Sequence, residues 1–306
     1  MTPRQEQSSV KISLDWISDF LDLAGIAPEK AADRLTLCTA EVEGFELLER
    51  CVEGVVVGEV VSVERLDAGG PAGEILSYVT VKCANAQYQT VCGAPNVRVG
   101  LKAPFAPPGT NLAGGLRIEV SRVAGKTSEG VLCSARELGM SRWHEIVLEC
   151  PASIPNGTPL SALVPARDVI IEIDNKSLTH RPDLWGHYGF ARELSAIFSR
   201  PLRPLPMADL AAYDHLPPFP LVVEDFESCP CYGCLEFRVA GAIPSPLVMQ
   251  RRLHALGQRT YNLLVDATNY VMLELGQPTH AFDGDRVRAI LSLIHISEPT
   301  RLLSIS

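Results

Sequence analysis

Apolar positions between residues 10 and 50 recur at helical spacing, which predicts a helical opening to the chain. Ser13 can cap a segment that places Leu14, Ile17 and Leu21 on one face. Pro28 then opens a second helical stretch toward Leu37, a first-turn position that suits proline. From Val55 the period shortens. Val55–Val63 is β-branched, Leu76–Cys83 alternates, Tyr88–Cys92 follows an Asn85-Ala86 turn, and Arg117–Val123 reads as a further strand. Gly and Pro punctuate the intervals, as in Pro107-Pro108-Gly109 and Gly114-Gly115. About five short strands in about 100 residues suggest a small barrel, with the OB-fold as a candidate. A mixed connection spans 151–182. Asp183–Phe198 is the clearest helix, with Leu184, Tyr188, Ala191, Leu194 and Phe198 at helical spacing. A proline-rich linker covers 199–221. A third unit starts near Leu221, in which Ser245-Pro246 opens a helix and Gly257 closes it.

Composition narrows the class. A chain of 306 residues suggests two or three domains. The net charge of −9 argues against a generic nucleic-acid coat protein, though not against shape-specific RNA contact by one domain. Within 54–150, Lys and Arg balance Asp and Glu, so an RNA-binding barrel here holds phosphate modestly. The N-terminus has no apolar signal core and no apolar run is of membrane-spanning length. Nine cysteines without a disulfide-scaffold pattern then point to reduced thiols and a cytoplasmic location. Cys229-Pro230-Cys231-Tyr232-Gly233-Cys234 offers only one Cys-x-x-Cys, whereas structural zinc needs two paired turns, so no metal is expected in this chain. Ser128 and Ser134 lie in no nucleophile-elbow pattern.

Three blocks carry a family resemblance. The first is Val91-Cys92-Gly93-Ala94-Pro95-Asn96-Val97, followed by Gly125-Lys126-Thr127-Ser128-Glu129-Gly130-Val131-Leu132-Cys133-Ser134 and Glu137-Leu138-Gly139. The second is His180-Arg181-Pro182-Asp183 running into Gly189-Phe190-Ala191-Arg192-Glu193-Leu194. The third is Val265-Asp266-Ala267-Thr268-Asn269-Tyr270 through Gly276-Gln277-Pro278, then His280-Ala281-Phe282-Asp283. In this order they resemble the bacterial phenylalanyl-tRNA synthetase β subunit, specifically its N-terminal part.

The resemblance implies an α+β, multidomain chain with an OB-fold tRNA-binding barrel and the first part of an α+β editing domain. The implied boundaries are an N-terminal helical or α+β segment at 1–50, the barrel at 51–165, a segment at 166–205 packing with the N-terminal one, and the editing start at 221–290. Residues 291–306 depart from the family pattern and read as the translation of a sequencing adapter. Lys82, Arg98, Lys102, Arg117, Arg122 and Lys126 are the candidate tRNA contacts. The stretch Leu66–Glu74 lacks the lysine and histidine that the family carries after its first barrel strand. Asn269 and His280 correspond to residues lining the pocket that hydrolyses tyrosine misattached to the phenylalanine tRNA. One hydroxyl separates the two amino acids, a difference that an apolar pocket rejects weakly. A structural reading of both residues, as a helix cap and a buried histidine, stays open. The complete enzyme uses ATP and Mg2+ and pairs with a catalytic α subunit as α2β2. No cofactor, aminoacylation motif or membrane contact is expected of this chain itself. A stand-alone tRNA-binding OB protein and a trans-editing hydrolase are the alternatives.

Overall fold

The computed structural model describes residues 9–69, 75–217 and 243–286, with 223, 225, 227–230, 232–239 and 241 between them. These residues fall into two compact units. One contains Met1–Pro206 and Ala242–Thr279, and the other Met207–Gly241 and His280–Ser306. The adapter-like stretch at 291–306 and residues 70–74 of the Leu66–Glu74 stretch lie outside the described residues.

The first unit opens on strand rather than helix. β1 (Val10–Ser13) and β2 (Val42–Glu49) flank β10 (Arg167–Ile173) in an antiparallel sheet of order β1-β10-β2. The helical expectation for 10–50 therefore holds only for the short α1 (Leu14–Ile17) and for α2 (Pro28–Cys38). Ser13 explains the error at the start. It ends β1 and also caps α1, its Oγ accepting from the Trp16 N–H at 3.0 Å. The strand partner that makes 10–13 extended is supplied by residues 170–173, beyond the reach of local periodicity. Central β10 buries Ile170, Ile171 and Ile173 on both faces, as a strand with neighbours on both sides and covered faces should.

α3 (His187–Phe198) covers this sheet with Phe190, Ala191 and Leu194. It starts later than the expected Asp183. Pro182–Trp185 forms a 3-10 turn and Gly186 is extended, which breaks the helical run. α4 (Leu247–Ala255) starts after Pro246 and is followed by Gly257 at φ 76°, as the sequence predicts. α5 (Leu263–Leu275) is capped by Asn262, whose Oδ1 accepts from Leu264 and Val265 N–H. α5 docks by backbone approach. A Cβ on Gly186 would lie 2.3 Å from Gly276 N and 2.6 Å from the Leu275 carbonyl carbon, so only glycine fits.

The remaining strands build a nearly closed barrel. β3 (Val56–Gly69), β4 (Ile75–Cys83), β5 (Ala86–Cys92), β6 (Lys102–Ala106) and β9 (Val131–Leu132) pair antiparallel in the order β5-β4-β3-β6-β9. β7 (Ser121–Val123) and β8 (Lys126–Ser128) form a hairpin between β6 and β9. Closure comes at β5. The Glu129 N–H donates to Gln89 O at 2.7 Å, and Thr90 Oγ1 donates to Gly130 O at 2.5 Å. Val60, Val79, Val81, Ala103, Phe105 and Leu132 fill the interior.

Two strand boundaries differ from expectation. Arg117–Val123 is strand only from Ser121, because Ile118 is held by backbone bonds to Thr110 and Gly109 and buried in a separate cluster. β6 contains Pro104, which obscures it in sequence. Its carbonyl still accepts from the Cys133 N–H at 2.8 Å.

In the second unit a 3-10 turn, Leu210–Tyr213, is capped by Asp209. The Asp225 carboxylate accepts from the Ser228 N–H at 2.9 Å.

Candidate nucleic-acid interface

The outer face of β3, β4 and β5 carries three cross-strand rows. Glu59, Lys82 and Gln87 form one, Ser62, Thr80 and Gln89 the next, and Glu64, Tyr78 and Val91 the third. Ser62 Oγ donates to Thr80 Oγ1 at 2.8 Å, and Tyr78 OH to Gln89 Oε1 at 2.7 Å. From the β7–β8 hairpin, Lys126 Nζ sits 4.9 Å from the Tyr78 ring centroid and 3.4 Å from Glu64 Oε1. In a barrel of this topology the face of the second and third strands, flanked by the loops after the first and fourth, is the usual place for oligonucleotides. Here that face offers an aromatic ring with an ammonium over it, the combination that stacks and neutralises single-stranded RNA. Tyr78 was not among the residues nominated from sequence. Its alternation with Thr80 and Lys82 on β4 is the signal that could have found it.

The six candidate cations divide into two groups. Lys82, Arg117 and Arg122 are exposed, and Lys126 is half-buried against Tyr78. Arg98 and Lys102 are occupied. Arg98 makes a bidentate bridge to Glu149, at 2.9 Å and 2.7 Å, and also donates to Asn96 O. The Glu149 partnership raises the Arg98 pKa and the same pair lowers that of Glu149 against its burial. Lys102 Nζ donates to Ala152 O at 2.8 Å and Ile154 O at 2.6 Å, fastening the 151–154 turn to the barrel. Asn96 is likewise structural. Its side chain exchanges hydrogen bonds with the Val147 backbone at 2.9 Å and 3.0 Å. The Gly93-Ala94-Pro95 turn, with Arg65, Ser134 and His144, lines a groove of about 820 Å³.

Asn269 is half-buried on α5 in the first compact unit, and among the described residues its side chain has no hydrogen-bond partner. The helix around it is fixed by neighbours. Buried Asp266 accepts from Ser245 Oγ at 2.5 Å and from the Tyr261 N–H at 2.9 Å, and burial raises its pKa. Tyr270 OH accepts from Arg252 at 2.6 Å, and Glu274 accepts from Trp16 Nε1 at 2.9 Å. His280 belongs to the second unit, is exposed, and has its ring 6.1 Å from that of Phe282.

The His-Arg-Pro-Asp block proves to be a charge network. Arg181 bridges Asp183 and Glu193, and Arg192 joins Asp183 at 2.5 Å; the arginines pull the Asp183 pKa down to about 2. Two polar elements escaped sequence reasoning. Arg50 and Asp168 form a buried pair at 2.9 Å, with Ser13 Oγ also donating to Asp168. His187 accepts from the Ser13 N–H at 2.9 Å and donates from Nδ1 to Leu273 O at 2.6 Å, and burial lowers its pKa to about 4.

Comparison with known proteins assigns the barrel and the C-terminal block. A family described as a putative tRNA binding domain matches residues 55–159, and one described as a B3/4 domain matches 228–301. The phenylalanine–tRNA ligase beta subunit of Solibacter usitatus is 38% identical over 279 residues, 91% of this chain and 34% of that protein. The chain is a relative of phenylalanine–tRNA ligase beta subunits. The beta subunit of Desulfotalea psychrophila is 36% identical over 91% of this chain and 33% of its own length, and that of Anaeromyxobacter dehalogenans 37% over 95% and 36%. The chain thus spans about a third of the beta subunits it matches. All six candidate cations fall within the tRNA-binding match, and Asn269 and His280 within the B3/4 match. Among the described residues no helix is long and apolar enough to cross a membrane.

Proposed function

We propose that this chain is part of the β subunit of a cytoplasmic phenylalanine–tRNA ligase, supplying tRNA binding and one portion of a Tyr-tRNA editing site. The carrying observation is the ordered pair of matches, tRNA-binding barrel then B3/4 domain, within a 34–38% identity that covers most of the chain. The barrel receives phenylalanine tRNA on the face of β3–β5 through Tyr78, Lys82 and Lys126, with the exposed Arg117 and Arg122 as further cationic contacts. Arg98 and Lys102 contribute to the barrel's own stability. Ligation of phenylalanine to tRNA, which uses ATP and Mg2+, belongs to the complete α2β2 enzyme with its α subunit. No group of three or more His, Cys, Asp or Glu side chains among the described residues could hold a metal ion.

In the editing reading His280 positions water or the terminal ribose of the tRNA, and Asn269 provides a hydrogen-bonding side chain for the tyrosyl ester. The unpartnered amide of Asn269 and the exposed imidazole of His280 are free for such roles. The test uses the full-length subunit assembled with its α partner. His280→Ala should slow Tyr-tRNA deacylation, by roughly the 10²–10⁴-fold of a lost acid–base or positioning group, and leave phenylalanine charging nearly unchanged. Equal loss of both activities would make His280 structural, and no loss of either would remove it from the site.

A further inference from the structure

A second basic-aromatic surface is built where the 141–143 turn meets the 258–262 loop. Arg142 stacks on the Trp143 ring with its guanidinium 4.9 Å from the centroid, Arg259 lies 5.2 Å from the same ring, and Arg259 also reaches Tyr261 at 5.5 Å. The order is Arg142, Trp143, Arg259, Tyr261, an alternating ladder of cations and rings. Arg142 and Arg259 are exposed, and Tyr261 retains 64% of its accessible surface.

The ladder is braced from beneath. Buried His254 joins Ser141 Oγ at 3.4 Å on one ring nitrogen and Thr260 Oγ1 at 3.3 Å on the other, tying the 141–143 turn to the 258–262 loop. Trp143 is fixed by its N–H to Ser141 Oγ at 3.2 Å and by its carbonyl, which accepts from the Arg136 N–H at 2.9 Å. A cleft of about 300 Å³ opens beside Tyr261, lined also by Ile146, Gln250, Thr260 and Asn262. Glu145 lies near Arg259, and the cleft also holds Glu149, which is paired with Arg98, and buried Asp266, so Arg142 is the cation of the ladder with no acid beside it among these residues.

We propose that this ladder is a second contact for unpaired RNA, the exposed Tyr261 ring taking a base and Arg142 and Arg259 the flanking phosphates. The inference rests on the reading of the chain as a tRNA-binding protein. Its physical basis is separate from the Tyr78–Lys126 pair. Every base has a face that stacks on an aromatic ring, and guanidinium groups both stack and pair with phosphate. A cation–aromatic ladder held rigid by buried hydrogen bonds offers those contacts at little ordering cost.

The test measures binding of labelled phenylalanine tRNA and of a labelled 12-nucleotide unstructured RNA to the 306-residue chain at low salt. Tyr261→Ala and Arg259→Ala should each weaken both affinities about 5- to 100-fold, the range of one lost base stack. Tyr261→Phe, which keeps the ring, should bind like the parent and so exclude a folding defect. RNA should quench tryptophan emission in the parent and not in Trp143→Phe. If both ladder variants bind like the parent while Lys82→Ala with Arg122→Ala loses binding, the ladder is refuted and the barrel reading stands. If the parent binds neither RNA, both are refuted.

Discussion

His187 links three segments, and its removal gives a pH signature that can be worked out in advance. It accepts from Ser13, donates to Leu273 O, and stacks on Trp16 at 4.2 Å, with Arg252 the nearby charge. Burial holds its pKa at about 4 against an ordinary 6.5. Between those values the unfolded chain carries the extra proton, so stability falls as the pH drops from 6.5 toward 4 and not above that window. At about 1.4 kcal/mol per pH unit the loss is about 3 kcal/mol. His187→Leu leaves the Ser13 N–H and the Leu273 carbonyl unpaired, at about 1–3 kcal/mol each near neutrality. It also abolishes the titration. In urea unfolding followed by tryptophan fluorescence, the parent should be the more stable at pH 7 by several kcal/mol. The gap should narrow by about 3 kcal/mol at pH 4. Buried His254 titrates in both chains, also from about 4, and drops out of the difference. A gap independent of pH would refute the neutral, doubly bonded His187.

Asp168→Ala should cost about 3–5 kcal/mol, because it leaves Arg50 charged and buried; urea midpoints of the single variant and of Arg50→Met with Asp168→Leu, which should be milder, check this. Gly186→Ala should loosen the seat of α5 by driving a methyl into the Gly276 backbone, seen as faster amide exchange across Leu263–Leu275. Arg98→Ala and Lys102→Ala should lower thermal stability with little change in RNA affinity, whereas Lys82→Ala and Arg122→Ala should lower affinity and its salt dependence with no change in stability.

The barrel was legible because β-branched alternation and glycine-proline punctuation are local signals. β4 and β5 were therefore found to within two residues and β3 at its start, though β3 runs on to Gly69, past the expected Val63. β6 was hidden by Pro104, and β9 is two residues long and exists only through Phe105 and Ala106 opposite it. The strands of the first sheet were illegible for the same reason on a larger scale, since β1 and β2 are both organised by β10; only the family resemblance pointed to the packing of 166–205 on the N-terminal segment. Among the site residues, charge alone nominated six cations. Sequence carries no sign that Glu149 and the 152–154 carbonyls already occupy Arg98 and Lys102. Trp143 and Arg259 are distant in sequence, so their stack could not be read at all.

Titrating this chain into labelled phenylalanine tRNA and following anisotropy as salt is raised shows whether it handles tRNA through its barrel. Saturable binding that weakens with salt, and weakens further in Lys82→Ala with Arg122→Ala, is the predicted result. No binding at low salt, or binding indifferent to those substitutions, would contradict it.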